Sequence, residues 1–319
     1  MVAVAESLKG RDFLRVADWS RPELETALDL ADELKRLQRE RREHRLLPGR
    51  TLGMIFQKPS TRTRVSFEVG MYELGGRALF LGSDDIQLNR GETIADTARV
   101  LSRYVNGIVA RVFAHQDILD LARHGSVPVI NGLSDLLHPC QALADYFTLR
   151  ERRGALQGLK LAYVGDGNNV ANELMFGAVK LGMRCSIGCP KGYEPNPLIF
   201  KSAQREAQKL GSPVPEVTQN AFEAVAGADV VYTDVWTSMG QEAEADERVK
   251  AFQGYSVTPK LMSAAGREAL FMHCLPAHRG EEVAAEVIDG PQSAVFDEAE
   301  NRLHVQKAVL LTLMGPGED

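Results

Sequence analysis

The chain of 319 residues has no apolar stretch approaching the roughly 18 to 20 residues that a membrane-crossing helix needs. Its first residues, with Glu6 and Arg11 in a weakly apolar stretch, lack the core of a signal peptide, so a cytoplasmic location is expected. There is no cationic excess either. Lys and Arg number 37 against 43 Asp and Glu, a net charge of −6 that argues against general nucleic-acid binding. Cysteine is sparse, with four residues at 140, 185, 189 and 274, which is not a disulfide framework for a chain of this size. Cys185 and Cys189 fall on one face of an expected strand and read as buried apolar residues. No second close Cys or His pair accompanies them, so no structural zinc is expected. Internal repeats and low-complexity segments are also missing.

What is present is an ordinary globular composition, 44% apolar and 25% charged, long enough for two domains. Apolar strand candidates alternate with amphipathic helices, at about 51–56, 78–82, 107–112 and 128–131, then 159–165, 183–188, 229–234 and 270–274. Such alternation implies an α/β fold with parallel sheets covered by helices. A helix beginning at His138-Pro139 and reaching the polar stretch Arg150 to Gly154 separates the two sets. The domains are therefore expected at 1–150 and 151–298, followed by a last helix at about Ala299 to Met314. Near the N-terminus, Ser20-Arg21-Pro22-Glu23 forms a capping box before an apolar stripe of Leu24, Ala27, Leu28, Ala31 and Leu34. The basic run Lys35 to Arg45, interleaved with Glu40 and Glu43, is expected to be the solvated end of that helix.

Chemistry concentrates in Lys58-Pro59-Ser60-Thr61-Arg62-Thr63-Arg64. A short apolar strand precedes it and a helix follows, which puts Ser60 at or near the N-cap. The first N–H groups of a helix lack internal partners and carry the positive end of its dipole, so a phosphate there meets ready donors. Arg62 adds a planar fork matched to phosphate oxygens. A capped helix with solvated arginines is the plainer reading, but two threonines and two arginines within five residues favour an anion site.

This run resembles the carbamoyl phosphate signature of the aspartate and ornithine carbamoyltransferases. Further matches follow in that family's order: Arg111 in Ala110-Arg111-Val112, His138-Pro139-Cys140-Gln141, Asp234-Val235-Trp236-Thr237-Ser238-Met239-Gly240 and His273-Cys274-Leu275-Pro276. They span nearly the whole chain, and the last two resemble the ornithine branch. The resemblance implies two doubly wound parallel-sheet domains joined by interdomain helices, with the last helix, about 299–319, packing back onto the first domain. It implies transfer of a carbamoyl group from carbamoyl phosphate to the δ-amino group of L-ornithine, giving citrulline and phosphate for arginine biosynthesis, with no metal or organic cofactor. It also implies a homotrimer, with further assembly open, whose sites are shared between subunits through Gln87 in the loop Ile86 to Glu92.

By the same resemblance Ser60, Thr61, Arg62 and Thr63 cradle the phosphate, and Arg111 bridges phosphate and carbonyl. His138 and Arg302 meet the carbonyl oxygen, and Gln141 holds the carbamoyl amino group. Asn169, Ser238 and Met239 hold the α-carboxylate and α-amino groups of ornithine, while Asp234, Cys274 and Leu275 orient its side-chain amine, the last two also touching carbamoyl phosphate. The segment after Met239, rich in Glu and Asp, reads as a flexible loop that closes over ornithine and excludes water. The chemistry is demanding, because deprotonating an ammonium of pKa ~10.4 near neutral pH costs about 4 kcal/mol.

Three alternatives arise within the sequence. Gly165-Asp166-Gly167-Asn168-Asn169-Val170 lies where a dinucleotide fingerprint would, but the third glycine is Val170 and no acidic residue follows at about 185–190 to hold a ribose. Within the resembled family, the acceptor could be another amine such as putrescine, or the chain could be a silent carbamoyl phosphate binder. The amino-acid headgroup set Asn169, Asp234 and Ser238 argues against the diamine, and the intact reactive set against the silent binder.

Overall fold

The computed structural model describes residues 7–315 apart from positions 84 and 239, with backbone only at 89 and 90. The chain divides into two compact units. One comprises the residues up to Phe147 and those from Glu300 onward, and the other is Thr148–Ala299. The chain leaves the first unit along the helix Pro139–Arg153 and returns along the helix Val295–Met314.

The first unit is built on β1 (Thr51–Phe56), β2 (Arg77–Gly82), β3 (Gly107–Arg111) and β4 (Val129–Leu133), in the order β2-β1-β3-β4. Every pairing is parallel, and in register Phe56 stands beside Arg111. All of β3 and nearly all of β1 are buried, as central strands covered on both faces must be. The second unit contains β5 (Lys160–Val164), β6 (Arg184–Gly188), β7 (Glu216–Thr218), β8 (Val230–Thr233) and β9 (Leu270–His273), ordered β7-β6-β5-β8-β9 and again wholly parallel. The expected α/β doubly wound class is what the structure shows. Strand β7 was not foreseen from sequence, since Glu-Val-Thr is too short and polar to stand out as an apolar run.

In each sheet the winding reverses once. Successive strands run outward from β1 in one direction and from β3 in the other, and likewise on the two sides of β5 and β8. Open α/β sheets bind ligands outside the carboxyl ends of strands at such reversals. The residues leaving β1, β3, β5 and β8 are therefore the ones to inspect.

Three local expectations change. The helix Arg21–Arg39 does open with the Ser20–Glu23 capping box, but Lys35 is not solvated. It is 3% exposed, donates to Asn301 Oδ1 at 2.6 Å and sits 5.6 Å from the Phe147 ring. Position 35 continues the Leu28, Ala31 stripe at helical spacing, so its stem is buried and its ammonium must find a polar partner. His44, in the same basic run, is buried as well. The final helix begins at Val295, ahead of the expected Ala299, because Asp297 and Glu298 suit its first turn. Glu298 is also tied down there, accepting from Tyr232 Oη and from the His273 N–H, each at 3.0 Å. The acidic stretch after Gly240 is only partly loop, since Glu242–Glu244 forms a 3-10 turn and Ala245–Ala251 a helix.

Within the first unit, the helix Thr61–Glu73 packs closely against the C-terminal helix. A Cβ at Gly70 would lie 3.1 Å from Lys307 Cγ, and the fully buried Lys307 ammonium reaches Glu73 Oε2 at 2.5 Å. These contacts clamp together the two segments that carry Arg62 and Arg302. Removing one partner of a buried pair strands the other charge, whereas replacing the lysine by an apolar side chain of similar length does not. Glu73→Gln is expected to cost about 3 kcal/mol of stability and Lys307→Met much less, as read from urea unfolding midpoints.

Candidate active site

Ser60 caps the helix Thr61–Glu73 from an extended conformation, its Oγ accepting the Thr63 N–H at 3.1 Å. No carboxylate occupies the first turn, so the positive end of the dipole is not neutralised locally. Thr63 is buried and its Oγ1 accepts from Arg302 Nη2 at 3.1 Å. The other terminal nitrogen of Arg302 donates to Gln141 Oε1 at 2.6 Å, and Gln141 Nε2 donates onward to Asp145 at 2.8 Å. With the Gln306 amide oriented by its hydrogen bonds, its oxygen also accepts from Arg302 Nε at 3.2 Å and Nη2 at 2.8 Å. Arg302 is thus fixed on several sides with its charge retained.

His138, just ahead of the helix Pro139–Arg153, is buried, and its Nδ1 has no hydrogen-bond partner among the described residues. Burial, then the positive guanidiniums of Arg302, Arg111 and Arg62, hold its pKa well below the ordinary histidine value. The imidazole is therefore neutral beside three cations. Such a cluster, held on helix and strand ends, can accept a dianion and still keep a neutral ring as a donor or acceptor. Arg111 is itself buried at the carboxyl end of β3, where the pairing to β4 slips between Ala110 and Arg111.

The first unit thus brings together Ser60, Arg62, Thr63, Arg111, His138, Gln141 and Arg302. Thr61 is on the same helix start but exposed. Gln87 is exposed on the 3-10 turn Gln87–Arg90 and makes no hydrogen bond to this group.

In the second unit Asp234 and Cys274 follow β8 and β9 directly, side by side because Thr233 pairs with His273. Cys274 Sγ donates to Asp234 Oδ1 at 3.1 Å, and Asn168 Nδ2 donates to Asp234 Oδ2 at 2.7 Å across the sheet reversal. Asn168 also caps the helix Asn169–Leu181 through its Oδ1, which accepts from Val170 N–H at 2.9 Å and Ala171 N–H at 3.1 Å. Asn169 and Ser238 are half-buried nearby in sequence to these groups, and Met239 lies outside the described residues. Leu275 holds φ +57, rare for a branched side chain. Its N–H donates to His273 Nδ1 at 2.9 Å, so the opposite nitrogen carries the proton toward Glu282 Oε1 at 3.2 Å. Burial alone would raise the Glu282 pKa, but the His273 ring and the His278 N–H outweigh it and keep it below the ordinary value.

Asp234, His273 and Cys274 place possible ligand atoms within 4.8 Å of one another. Both nitrogens of His273 are already engaged, however, so the arrangement fits a hydrogen-bonding pair at Asp234 and Cys274 better than a metal site. The glycine turn fits a packing role rather than a cofactor cradle. A Cβ on Gly167 would come 2.2 Å from Pro195 N, and the Gly167 N–H donates to the Tyr193 carbonyl at 2.8 Å.

Two family models match almost end to end. The carbamoyl-P binding domain of aspartate/ornithine carbamoyltransferase covers residues 11–151, and the Asp/Orn binding domain covers 157–313. The chain belongs to the aspartate/ornithine carbamoyltransferase family. The ornithine carbamoyltransferase of Thermococcus kodakarensis is 59% identical over 97% of this chain and 98% of its own length. The anabolic ornithine carbamoyltransferase of Pyrococcus furiosus is 57% identical over 97% and 98%. A solved structure of ornithine carbamoyltransferase from Pyrococcus furiosus superposes with a TM-score of 0.94 at 56% identity, covering 98% of this chain and 99% of that one.

For a carbamoyltransferase, the contact that sequence reading missed is the one between Asn168, expected at the carboxyl end of a strand where such sheets bind ligands, and Asp234. An Asn directly after a Gly turn and before a helix is an N-cap signal, but its second bond to Asp234, 66 residues away, has no sequence signature.

The buried neutral His138 has a consequence for stability. It stays uncharged in the fold but protonates in the unfolded chain below about pH 6.5, so stability is lost as pH falls from that value toward its depressed folded pKa. His138→Gln is expected to flatten the acid side of the stability curve below about pH 6.5, with little change at pH ~8. Urea midpoints across that range check it.

Proposed function

We propose that this carbamoyltransferase moves the carbamoyl group of carbamoyl phosphate to the δ-amino group of L-ornithine, releasing L-citrulline and phosphate. The observation that carries the acceptor assignment is the buried Asp234 carboxylate, hydrogen-bonded by both Cys274 and Asn168, in a chain 59% identical to an ornithine carbamoyltransferase. A buried carboxylate at a sheet reversal is matched to a cationic side-chain amine, not to a second carboxylate such as that of aspartate.

In this proposal Ser60, Thr61, Thr63, Arg62 and Arg111 receive the phosphate and Arg302 and His138 the carbonyl oxygen. Gln141, held between Arg302 and Asp145, orients the carbamoyl amino group. As the lone pair of the neutral amine forms the new C–N bond, the carbonyl carbon's bond to the phosphate oxygen breaks, and phosphate leaves with the electron pair and takes up the proton that the nitrogen sheds. Arg62, Arg111 and Arg302 stabilise the charge that shifts onto oxygen, and a neutral His138 can donate to the carbonyl without adding a fourth cation. Asn169, Ser238 and Met239 hold the α-carboxylate and α-amino groups, with Asp234, Cys274 and Leu275 around the δ-nitrogen. The anabolic direction, toward arginine, follows the Pyrococcus furiosus relative. A cytoplasmic location is part of the proposal, supported by four cysteines without a disulfide.

An acceptor panel tests the reading. Citrulline is expected to form rapidly from ornithine, with little product from putrescine, N-acetylornithine or aspartate. A preference for any of those three would overturn the acceptor assignment.

The proposal includes a homotrimer in which Gln87 serves the neighbouring subunit. Support comes from Gln87's exposure, without a hydrogen bond to its own chain's guanidinium cluster, and from an exposed apolar stripe. Val65, Val69 and Tyr72 recur at helical spacing and are 49%, 36% and 81% exposed, and Leu79 on the edge strand β2 is 48% exposed. Complementation tests sharing: Arg62→Ala and an impaired Gln87 substitution, dissociated, mixed and reassembled, should regain activity above either parent. Verified mixed trimers without that gain would refute a site completed from next door.

A further inference from the structure

Arg248 has no part in the roles assigned so far, yet it is 6% exposed in the helix Ala245–Ala251, just past the segment that carries Ser238. Its guanidinium makes three hydrogen bonds and a ring contact. Nη1 donates to Asp166 Oδ2 at 2.9 Å and to the Trp236 carbonyl at 3.0 Å, Nε donates to Glu244 Oε2 at 3.0 Å, and the group lies 5.1 Å from the centroid of the Tyr193 ring. Trp236 is fixed in turn by stacking on Phe252, with ring centroids 5.6 Å apart at 18°. One side chain therefore binds both stems of the segment 237–247. It also fastens them to the turn 165–168, from which Asn168 reaches Asp234. The planar fork of arginine serves these divergent partners, and the single ammonium of lysine cannot reproduce it.

We propose that Arg248 is a positioning residue for the acceptor amino acid, setting the Ser238 segment and the Asn168–Asp234 pair in their mutual geometry. This rests on the reading of Ser238 and Asp234 as ornithine contacts. The residues assigned to carbamoyl phosphate in the first unit make none of these bonds, so the effect of losing the latch falls on one substrate.

Arg248→Gln, Arg248→Lys and Asp166→Asn are compared with the parent protein for the KM of each substrate, for carbamoyl phosphate affinity by calorimetry, and for urea midpoint. Each substitution is expected to raise the ornithine KM by about tenfold, the scale of one lost charge-assisted hydrogen bond, with carbamoyl phosphate affinity within about twofold of the parent. The double variant Asp166→Asn with Arg248→Gln should be no worse than the poorer single one, because both remove the same contact. A purely structural role would lower the fraction of active protein and kcat without moving the ornithine KM. Unchanged ornithine KM, equal losses for both substrates, or additive effects in the double variant would overturn the proposal. If Arg248→Gln does not fold, Arg248→Lys and Asp166→Asn decide it alone. Absence of citrulline from the parent protein would instead refute the ornithine reading itself, so the two failures are distinct.

Discussion

Parallel strand pairing is the constraint from which the rest follows. When every pair in a sheet is parallel, all strands deliver their carboxyl ends to one edge, and the buried strand interiors must be apolar. The first polar or charged residues available after each strand then gather at that edge without any special arrangement. In the first unit this puts the Ser60 helix start after β1 near Arg111 at the end of β3. In the second it sets both Asn168, beyond β5, and Cys274, beyond β9, against Asp234, beyond β8. The reversals in strand order lie between β1 and β3 and between β5 and β8, and there the helices diverge and leave room for a ligand.

The electrostatics of the two groups are opposite, and each fits the reactant proposed for it. The first assembles Arg62, Arg111 and Arg302 around a buried, uncharged imidazole on a chain whose net charge is −6. Holding like charges close is unfavourable until an anion arrives, so the cluster needs external supports: the Thr63 hydroxyl, the Gln141 amide and the clamp between Glu73 and Lys307. The second gathers donors, the Cys274 thiol and the Asn168 amide, around one carboxylate, and each is oriented by further bonds. Asn168 is fixed by capping a helix, and the turn after Cys274 is fixed by the chain of bonds from Glu282 through His273 to the Leu275 N–H.

Much of this was legible in the amino-acid sequence, for local reasons. Apolar runs of strand length marked the main strands of both sheets, and Ser20 and Ser60 announced their helix starts because caps depend on neighbours three residues away. The motif around Ser60, together with His138-Pro139-Cys140-Gln141 and His273-Cys274-Leu275-Pro276, pointed to the family that the comparisons then showed. Strand β7 escaped because a three-residue polar edge strand is defined by its partner β6 rather than by its own composition. Lys35 was misjudged because charge suggested solvent, while its place on the helix turned it inward toward Asn301.

The sequence by itself therefore determined most of the elements, the α/β class and the kinds of side chain available for chemistry, since periodicity, capping and short motifs act over a few residues. Only the tertiary structure decided which distant residues meet. Arg302 lies on Thr63 across 239 positions, Asn168 on Asp234 across 66 and Arg248 on Asp166 across 82. Those pairings come from strand order and helix packing, which are properties of the whole chain, and that is why the hydroxyl that meets the Arg302 guanidinium and the carboxylate that meets Asn168 could not be read from either residue's neighbours.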